Sequence, residues 1–351
     1  MAKCTEILND FKDLLTHIAG PLSLGTLAPT SSVENPSKDS VLFIPSLETL
    51  TKAIKSEALL LIVDGRLKDQ IKDKDFNNKT VFLSSNLQVS MARINQKFFT
   101  PSDYKKPFNN CTGVHKSAYI SDSASIGTNV TIGPGACVND NCKIGDNVYI
   151  GPNSVIEAGC TIGEGTHIFP LVFIGHGTVI GKNCKIQANT SIATDGFGYG
   201  QTKLGEHIFK PHIGNVILED NVDIGSSVCI DRGTFDDSVI GEGTKIDNIC
   251  HFGHNIVIGK HNLVTGGFMA AGSVTIGDHC VFGGRSTVTG HLKIASQVML
   301  AGLSGVTKSI LKPGMYGGYP LQKLKDSLRT IASFPHLPEL RKAVKKLSSN
   351  K

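Results

Sequence analysis

The chain has 351 residues, room for one large domain or two to three small ones, and 40% apolar against 19% charged residues excludes disorder as its main state. Tryptophan is absent, aromatics reach only 6% and glycine contributes 38 residues, so the core must come from small and β-branched side chains, which favours an all-β repeat over a helical bundle. Of the net charge of +5, the stretch from Tyr319 onward carries eight basic residues (Lys323, Lys325, Arg329, Arg341, Lys342, Lys345, Lys346, Lys351) against Asp326 and Glu339, leaving +6 in the tail and −1 before it.

No run of eighteen apolar residues is present and the first twenty residues mix acids with bases, so neither a membrane span nor a cleavable leader is expected. Nine cysteines, an odd number without CxxC pairs, read as free thiols, so a reducing, cytoplasmic setting is expected.

In chain order, residues 1–105 contain the apolar runs SVLFIP, ALLLIV and KTVFLSS, separated by charged segments such as Leu47–Glu57. They predict a separate α/β domain. From Val114 onward an aliphatic residue returns every six positions: Ile120, Ile126, Ile132, Val138, Ile144 and so on to Ile192. The step resumes at Leu218, Ile224 and Ile230, skips four residues, and runs from Ile240 to Val306. Gly, Asn and Asp cluster between the aliphatic positions, as in IGDNVYIGPNSVI, which is turn chemistry at a six-residue interval.

No helix has that period. A parallel β-helix of triangular section does, with one short strand per face, three hexads per coil and residues 18 apart stacked ~4.8 Å above one another. This prism is predicted over 106–312, with a loop insertion at 193–217 that is too long for a plain turn. In 313–351, LQKLKDSLRTIASF and ELRKAVKKL predict two helices, a C-terminal helical extension that would cap the open end of the prism.

Stacking arithmetic singles out His254, in KIDNICHFGHN, two residues past the inward Phe252 and therefore at a turn. Adding 18 twice gives Gly272 and Gly290, a bare column beside the ring; the adjacent column is Asn255, Ser273, His291. Two imidazoles with glycines between them could border a cleft, near Asp247 and Asn248. Each member has a plainer reading, an exposed turn histidine or a glycine placed for its φ. No P-loop, nucleophile elbow or GxGxxG is present, which leaves a histidine acting directly as general base. A zinc ion held by His251, His254 and His291 at a subunit boundary stays open as a rival.

The six-residue repeat resembles the hexapeptide-repeat acyltransferases, whose β-helix is left-handed. More narrowly, ATDGFGYG, IDRGTFDDSVIGEGTKIDN, HNIVIG, MAAGSVTIG, FGGRSTVTGHLKI and PGMYGGYPLQ resemble the UDP-3-O-(3-hydroxyacyl)glucosamine N-acyltransferases of lipid A biosynthesis. The resemblance implies a homotrimer with an N-terminal uridine-binding domain. It implies transfer of an (R)-3-hydroxyacyl group from acyl carrier protein to the 2-amine of UDP-3-O-acylglucosamine. No metal or redox cofactor would be needed, since the carrier's phosphopantetheine brings the acyl group. No nucleic acid is expected as partner, and at most peripheral membrane contact.

By the same resemblance His254 is the general base, Gly272 the oxyanion-hole donor, His291 a substrate contact, and Asp247 and Asn248 substrate-contacting positions. Phe43 of SVLFIP matches the aromatic that stacks on uracil, and equally suits a core position. The Asn and Tyr that should follow it fall on Ser46 and Thr49. A UDP-N-acetylglucosamine O-acyltransferase, a family without the N-terminal domain, and a non-catalytic β-helix scaffold are the alternatives.

Overall fold

The computed structural model describes residues 2–29, 32–100, 113–318 and 324–348. The chain divides into two compact units, residues 1–109 and 110–351.

In the first unit α1 (Cys4–Asp10), β1 (Leu15–Ala19), β2 (Val41–Ile44), α2 (Leu47–Lys55), β3 (Leu60–Asp64), β4 (Thr80–Ser84) and α3 (Leu87–Ile94) follow one another. The sheet order is β1-β4-β3-β2, with β2, β3 and β4 parallel and β1 antiparallel at one edge. Every residue of Leu60–Asp64 is buried, as an uninterrupted apolar run requires when both sheet faces are covered. Ser46 caps α2, its hydroxyl accepting from the Thr49 N–H at 3.2 Å and lying 2.9 Å from the Thr49 hydroxyl. The two positions where an Asn and a Tyr were expected thus form a helix cap.

The second unit is the expected parallel β-helix, wound among the described residues as three parallel sheets of ten, ten and nine strands. Register is set by the coil: Ile150 pairs with Ile132 below and Ile168 above. All three are fully buried. The turns are built as the Asn and Gly spacing predicts, with Asn141, Asn147 and Asn153 at φ of 57°, 58° and 54°, a left-handed region that asparagine tolerates. Cys142 and Cys160 stack in the core, their thiols donating to the carbonyls of Glu157 and Gly175 at 3.0 and 3.2 Å. Burial pushes the Cys160 thiol up to about 12, so it is a packing residue rather than a nucleophile.

Two departures from the 18-residue coil shape one corner of the prism. Ile192 pairs with Ile230, 38 residues on, and Ile230 with Phe252, 22 residues on. The extra residues leave the prism at that corner, as the segment between Ile192 and Val216 and the turn 231–237. The first carries a hairpin, Tyr199–Gln201 paired with His207–Phe209. Arg232, fully buried, pins the root of that segment: its guanidinium donates to the Ala193 carbonyl at 2.9 Å and to His176.

The tail forms α4 (Leu324–Ser333) and α5 (Leu337–Ser348), as predicted. Phe334, Leu337, Pro338, Arg341, Lys342 and Lys345 line a groove of about 590 Å³. Lys323 and Lys351 lie outside the described residues, as does the side chain of Lys325. Among the described residues no helix is long and apolar enough to cross a membrane.

Candidate active site

His254 sits at the corner where both insertions emerge. It follows the His251–Phe252 strand, whose Phe252 is buried against Phe268 with ring centroids 5.7 Å apart, so the next turn is held from below by the core. The Ser273 N–H donates to the His254 carbonyl at 2.8 Å, and the His291 N–H to the Gly272 carbonyl at 3.0 Å. The stacked turns are thus tied by their backbones.

The ring of His254 is fixed in tautomer as well as place. The Asn255 amide donates through Nδ2 to the Asp236 carbonyl at 3.2 Å, and its Oδ1 accepts from the Thr234 N–H at 2.9 Å. That leaves Oδ1 as an acceptor, so His254 Nδ1, 2.9 Å away, carries the proton. In the neutral imidazole Nε2 then has the lone pair. It points at Gly272: a β-carbon there would lie 2.6 Å from Nε2 and 2.7 Å from Cε1. Gly272 does not have a left-handed φ, so the imidazole, and not backbone conformation, is what demands a glycine. Among the described residues the Gly272 N–H has no hydrogen-bond acceptor.

Beside this pair lies an open cavity of about 400 Å³ lined by Phe197, Asp231, His251, Gly253, His254, Met269, Ala270, Ala271, Gly272, Thr287, Val288 and Thr289. Its wall is mostly apolar, with two imidazoles, one carboxylate and one bare backbone stretch on it. Such a surface holds an extended apolar group against a small polar centre. Asp231 is buried, with its Oδ2 3.9 Å from His251 Nε2 and the Thr194 hydroxyl 3.5 Å from its Oδ1. Burial pushes its carboxyl above the usual range, and the His251 and His254 imidazoles pull it back.

The insertion adds a third histidine. His212 is 3% exposed, and its ring packs 5.1 Å from that of His254 and 6.4 Å from Phe209. Neither of its ring nitrogens has a hydrogen-bond partner among the described residues. Burial and the neighbouring His254 hold its pKa below the usual histidine value, while Asp195 and the Lys210 backbone oppose them. Gly196 and Gly198 make this packing possible, since β-carbons there would lie 2.7 Å from His254 Cβ and 2.6 Å from His212 Cε1.

Of the sequence-predicted residues, the structure brings His254 and Gly272 together. His291 is exposed on the turn two coils above His254 and does not line the cavity. Asp247 and Asn248 lie at a different corner of the prism, where Asp247 accepts from the Gly266 N–H at 2.9 Å and Asn248 from the Ser226 N–H at 2.7 Å. Asp247 therefore does not orient the His254 ring within one chain; Asn255 does, and the carboxylate of the cavity is Asp231. Phe43 is half-buried and packs on the core of the first unit. A cavity of about 220 Å³ in that unit is lined by Pro45, Asp64, Arg66, Ser85, Asn86, Leu87 and Gln88, without Phe43. Among the described residues no three His, Cys, Asp or Glu side chains are grouped to hold a metal ion, so His251, His254 and His291 do not form a zinc site within the chain.

Residues 123–158 and 159–194 match the family model of the bacterial transferase hexapeptide (six repeats), and residues 273–290 match the hexapeptide repeat of succinyl-transferase. The chain is 40% identical over 151 residues to a UDP-3-O-acylglucosamine N-acyltransferase of Wolinella succinogenes, covering 43% of this chain and 48% of the relative. It is 43% identical over 138 residues to a probable UDP-3-O-acylglucosamine N-acyltransferase 2, mitochondrial, of Arabidopsis thaliana, covering 39% of this chain and 45% of that one. The chain spans about half the length of the curated relatives it matches. A solved UDP-N-acetylglucosamine O-acyltransferase of Moraxella catarrhalis aligns with 66% of this chain and 91% of its own at 24% identity and a TM-score of 0.45. The fold is the expected parallel β-helix of hexapeptide repeats with an N-terminal α/β region and C-terminal helices, and the relatives bear the name of the family that the motifs resemble.

Proposed function

We propose that this hexapeptide-repeat chain is an N-acyltransferase. It moves an (R)-3-hydroxyacyl group from the phosphopantetheine thioester of acyl carrier protein to the 2-amine of UDP-3-O-(3-hydroxyacyl)-glucosamine, giving the UDP-2,3-diacylglucosamine of lipid A biosynthesis. The observation that carries the reading is that His254, its Nδ1 beside Asn255 Oδ1, turns its Nε2 to the bare backbone of Gly272 at an apolar cavity. The names of the curated relatives supply the substrate class.

In the proposed reaction the amine nitrogen attacks the thioester carbonyl carbon while Nε2 of His254 takes a proton from it. The carbonyl oxygen becomes an oxyanion and is held by the unengaged N–H of Gly272. As the tetrahedral intermediate collapses, the carbon–sulfur bond breaks and the thiolate takes the proton from His254, leaving amide and thiol. No other group is needed for the proton or electron balance.

His291 at the same corner would meet the phosphate or the carrier arm. Asp247 and Asn248, at another corner, would reach the substrate from a neighbouring copy, which is the reason to propose a homotrimer with its sites between subunits. The first unit would bind the uridine nucleotide, with Phe43 as the candidate stacking residue.

The test is product mass spectrometry with a panel of acyl carrier protein thioesters, on wild type and His254→Ala. Wild type should give the N-acylated sugar, and the variant should remain folded and lose about 10² to 10⁴ in kcat. Near-normal turnover by the variant would overturn His254 as base, and activity abolished by a chelator and restored by zinc would replace this mechanism with a metal one.

A further inference from the structure

Asp231 lines the cavity beside His254, and the proposed reaction leaves its carboxylate unused. It is 7% exposed, and its polar neighbours are loose: the Thr194 hydroxyl at 3.5 Å and His251 Nε2 at 3.9 Å. A carboxylate offers about four acceptor positions, and one this buried is normally well satisfied. Asp231 is one of the residues lining the cavity, so acceptor capacity not used by these neighbours is available there. The backbone that carries the side chain is also held in place. The Ser238 hydroxyl donates to the Asp231 carbonyl at 2.8 Å, the Arg232 N–H donates to the Thr194 carbonyl at 2.9 Å, and the neighbouring Arg232 side chain is locked on Ala193 and His176. Asp231 is therefore anchored in the wall of the cavity that His254 also lines.

An amine differs from a hydroxyl in two ways that such a wall detects. A neutral amine has two N–H donors and one lone pair, whereas a hydroxyl has a single donor; and an amine, unlike a hydroxyl, is readily cationic in water. With one N–H given to His254 Nε2, a second is left for a fixed acceptor. Pairing both turns the nitrogen lone pair away from the two acceptors and toward the acyl carbon.

We infer that Asp231 is a specificity-determining residue of this site, accepting a hydrogen bond from the substrate's amino group and selecting an amine over a hydroxyl nucleophile. The inference rests on the proposed N-acyl transfer and deepens it, because it assigns the choice of nucleophile to a side chain. A hydroxyl in the same place satisfies His254 alone and leaves a buried carboxylate unpaired, which is the strongest form of rejection a polar pocket makes.

The experiment is calorimetric binding of UDP-3-O-acylglucosamine and of its isostere with a 2-hydroxyl in place of the 2-amine, to wild type, Asp231→Asn and Asp231→Ala. Wild type should bind the amine at least about tenfold more tightly. Both variants should bind the two ligands within about threefold of each other, mainly through loss of affinity for the amine. Circular dichroism melts establish that the variants fold, and the wild-type comparison stands without them. Equal affinity of wild type for the two ligands overturns the inference while leaving the proposed transfer standing; retention of the amine preference in both variants also overturns it. Failure of wild type to bind either ligand overturns the proposed function itself.

Discussion

The Nε2 nitrogen of His254 stands 2.6 Å from the point that a β-carbon on Gly272 would occupy. The two residues are one coil apart, and the absence of a side chain on one is what seats the ring of the other. Gly272→Ala therefore adds a methyl group that the imidazole must move away from, while the backbone N–H stays in place. Displacement by about 1 Å of a group that moves a proton costs on the order of 100-fold. The variant should lose that much kcat while its thermal unfolding temperature changes little, because the backbone φ is an ordinary one. Turnover within twofold of wild type would show that the ring and the glycine are not coupled.

How far this site was legible depends on where the coil is regular. Between His254 and Gly272 nothing interrupts the hexads, so counting 18 positions places one over the other, and the backbone bonds of Ser273 and His291 agree with that count. Below His254 four extra residues intervene and Cys229, 22 positions back, is the true neighbour of His251. Asp231 sits two residues beyond Cys229, so counting across the insertion would have found it. His212 has no period to betray it, being carried by a segment that folds back on the corner through the packing of Gly196 and Gly198. Asp247 is near His254 in sequence and apart from it within the chain for a related reason: consecutive turns occupy different corners. In the first unit the continuous run Leu60–Asp64 announced a strand buried on both faces, whereas Ser46 and Thr49 were cap residues that only the start of α2 explains.

His212 links stability to pH. Its folded pKa lies below the ordinary histidine value of 6.5, first through burial and then through His254. The unfolded chain consequently binds more protons as pH falls from about 6.5 toward the lowered folded value, and the native state loses stability over that window. Above about 6.5 both states are neutral and the contribution is flat. His212→Phe, which retains an aromatic ring beside Phe209 and His254, should remove part of the acid sensitivity of the melting temperature between about pH 7.5 and about pH 5.5, a range that spans the onset of histidine protonation. An unchanged slope would place the sensitivity in other groups, such as His167, whose pKa burial also lowers.

The basic tail invites a test against the acyl carrier protein of the proposed reaction. Helix α5 presents Arg341, Lys342 and Lys345 along a groove whose floor is Phe334, Leu337 and Pro338. Charge complementarity acts on encounter and is screened with a Debye length of about 8 Å at physiological salt. Arg341→Glu with Lys345→Glu should raise the KM for acyl carrier protein about tenfold at low salt, an effect in the range that steering supplies. The KM for the sugar nucleotide should not move, and added salt should narrow the gap between variant and wild type. Equal KM values for the carrier at low salt would make the basic face a solvated one.

The preferred length of the acyl group is testable along one face of the prism. The outward residues of one sheet stack as His251, Met269, Thr287 and Gly305, each one coil above the one before. The first three line the cavity beside His254, and from Met269 onward the side chains shrink in the direction of Gly305, so the groove opens that way. Gly305 is exposed, has no left-handed φ, and a β-carbon there would meet nothing closer than the Thr287 hydroxyl at 3.9 Å. A larger side chain is therefore tolerated by the fold and would lie across the groove. Each methylene denied its contact costs about 0.8 kcal/mol, so two lost methylenes reduce kcat/KM for the long donor by roughly tenfold. Gly305→Met should shift the product profile in a competition between donors toward shorter acyl chains, read by mass spectrometry, with the total rate on the short donor preserved. A profile identical to wild type would show that the acyl chain leaves His254 in another direction.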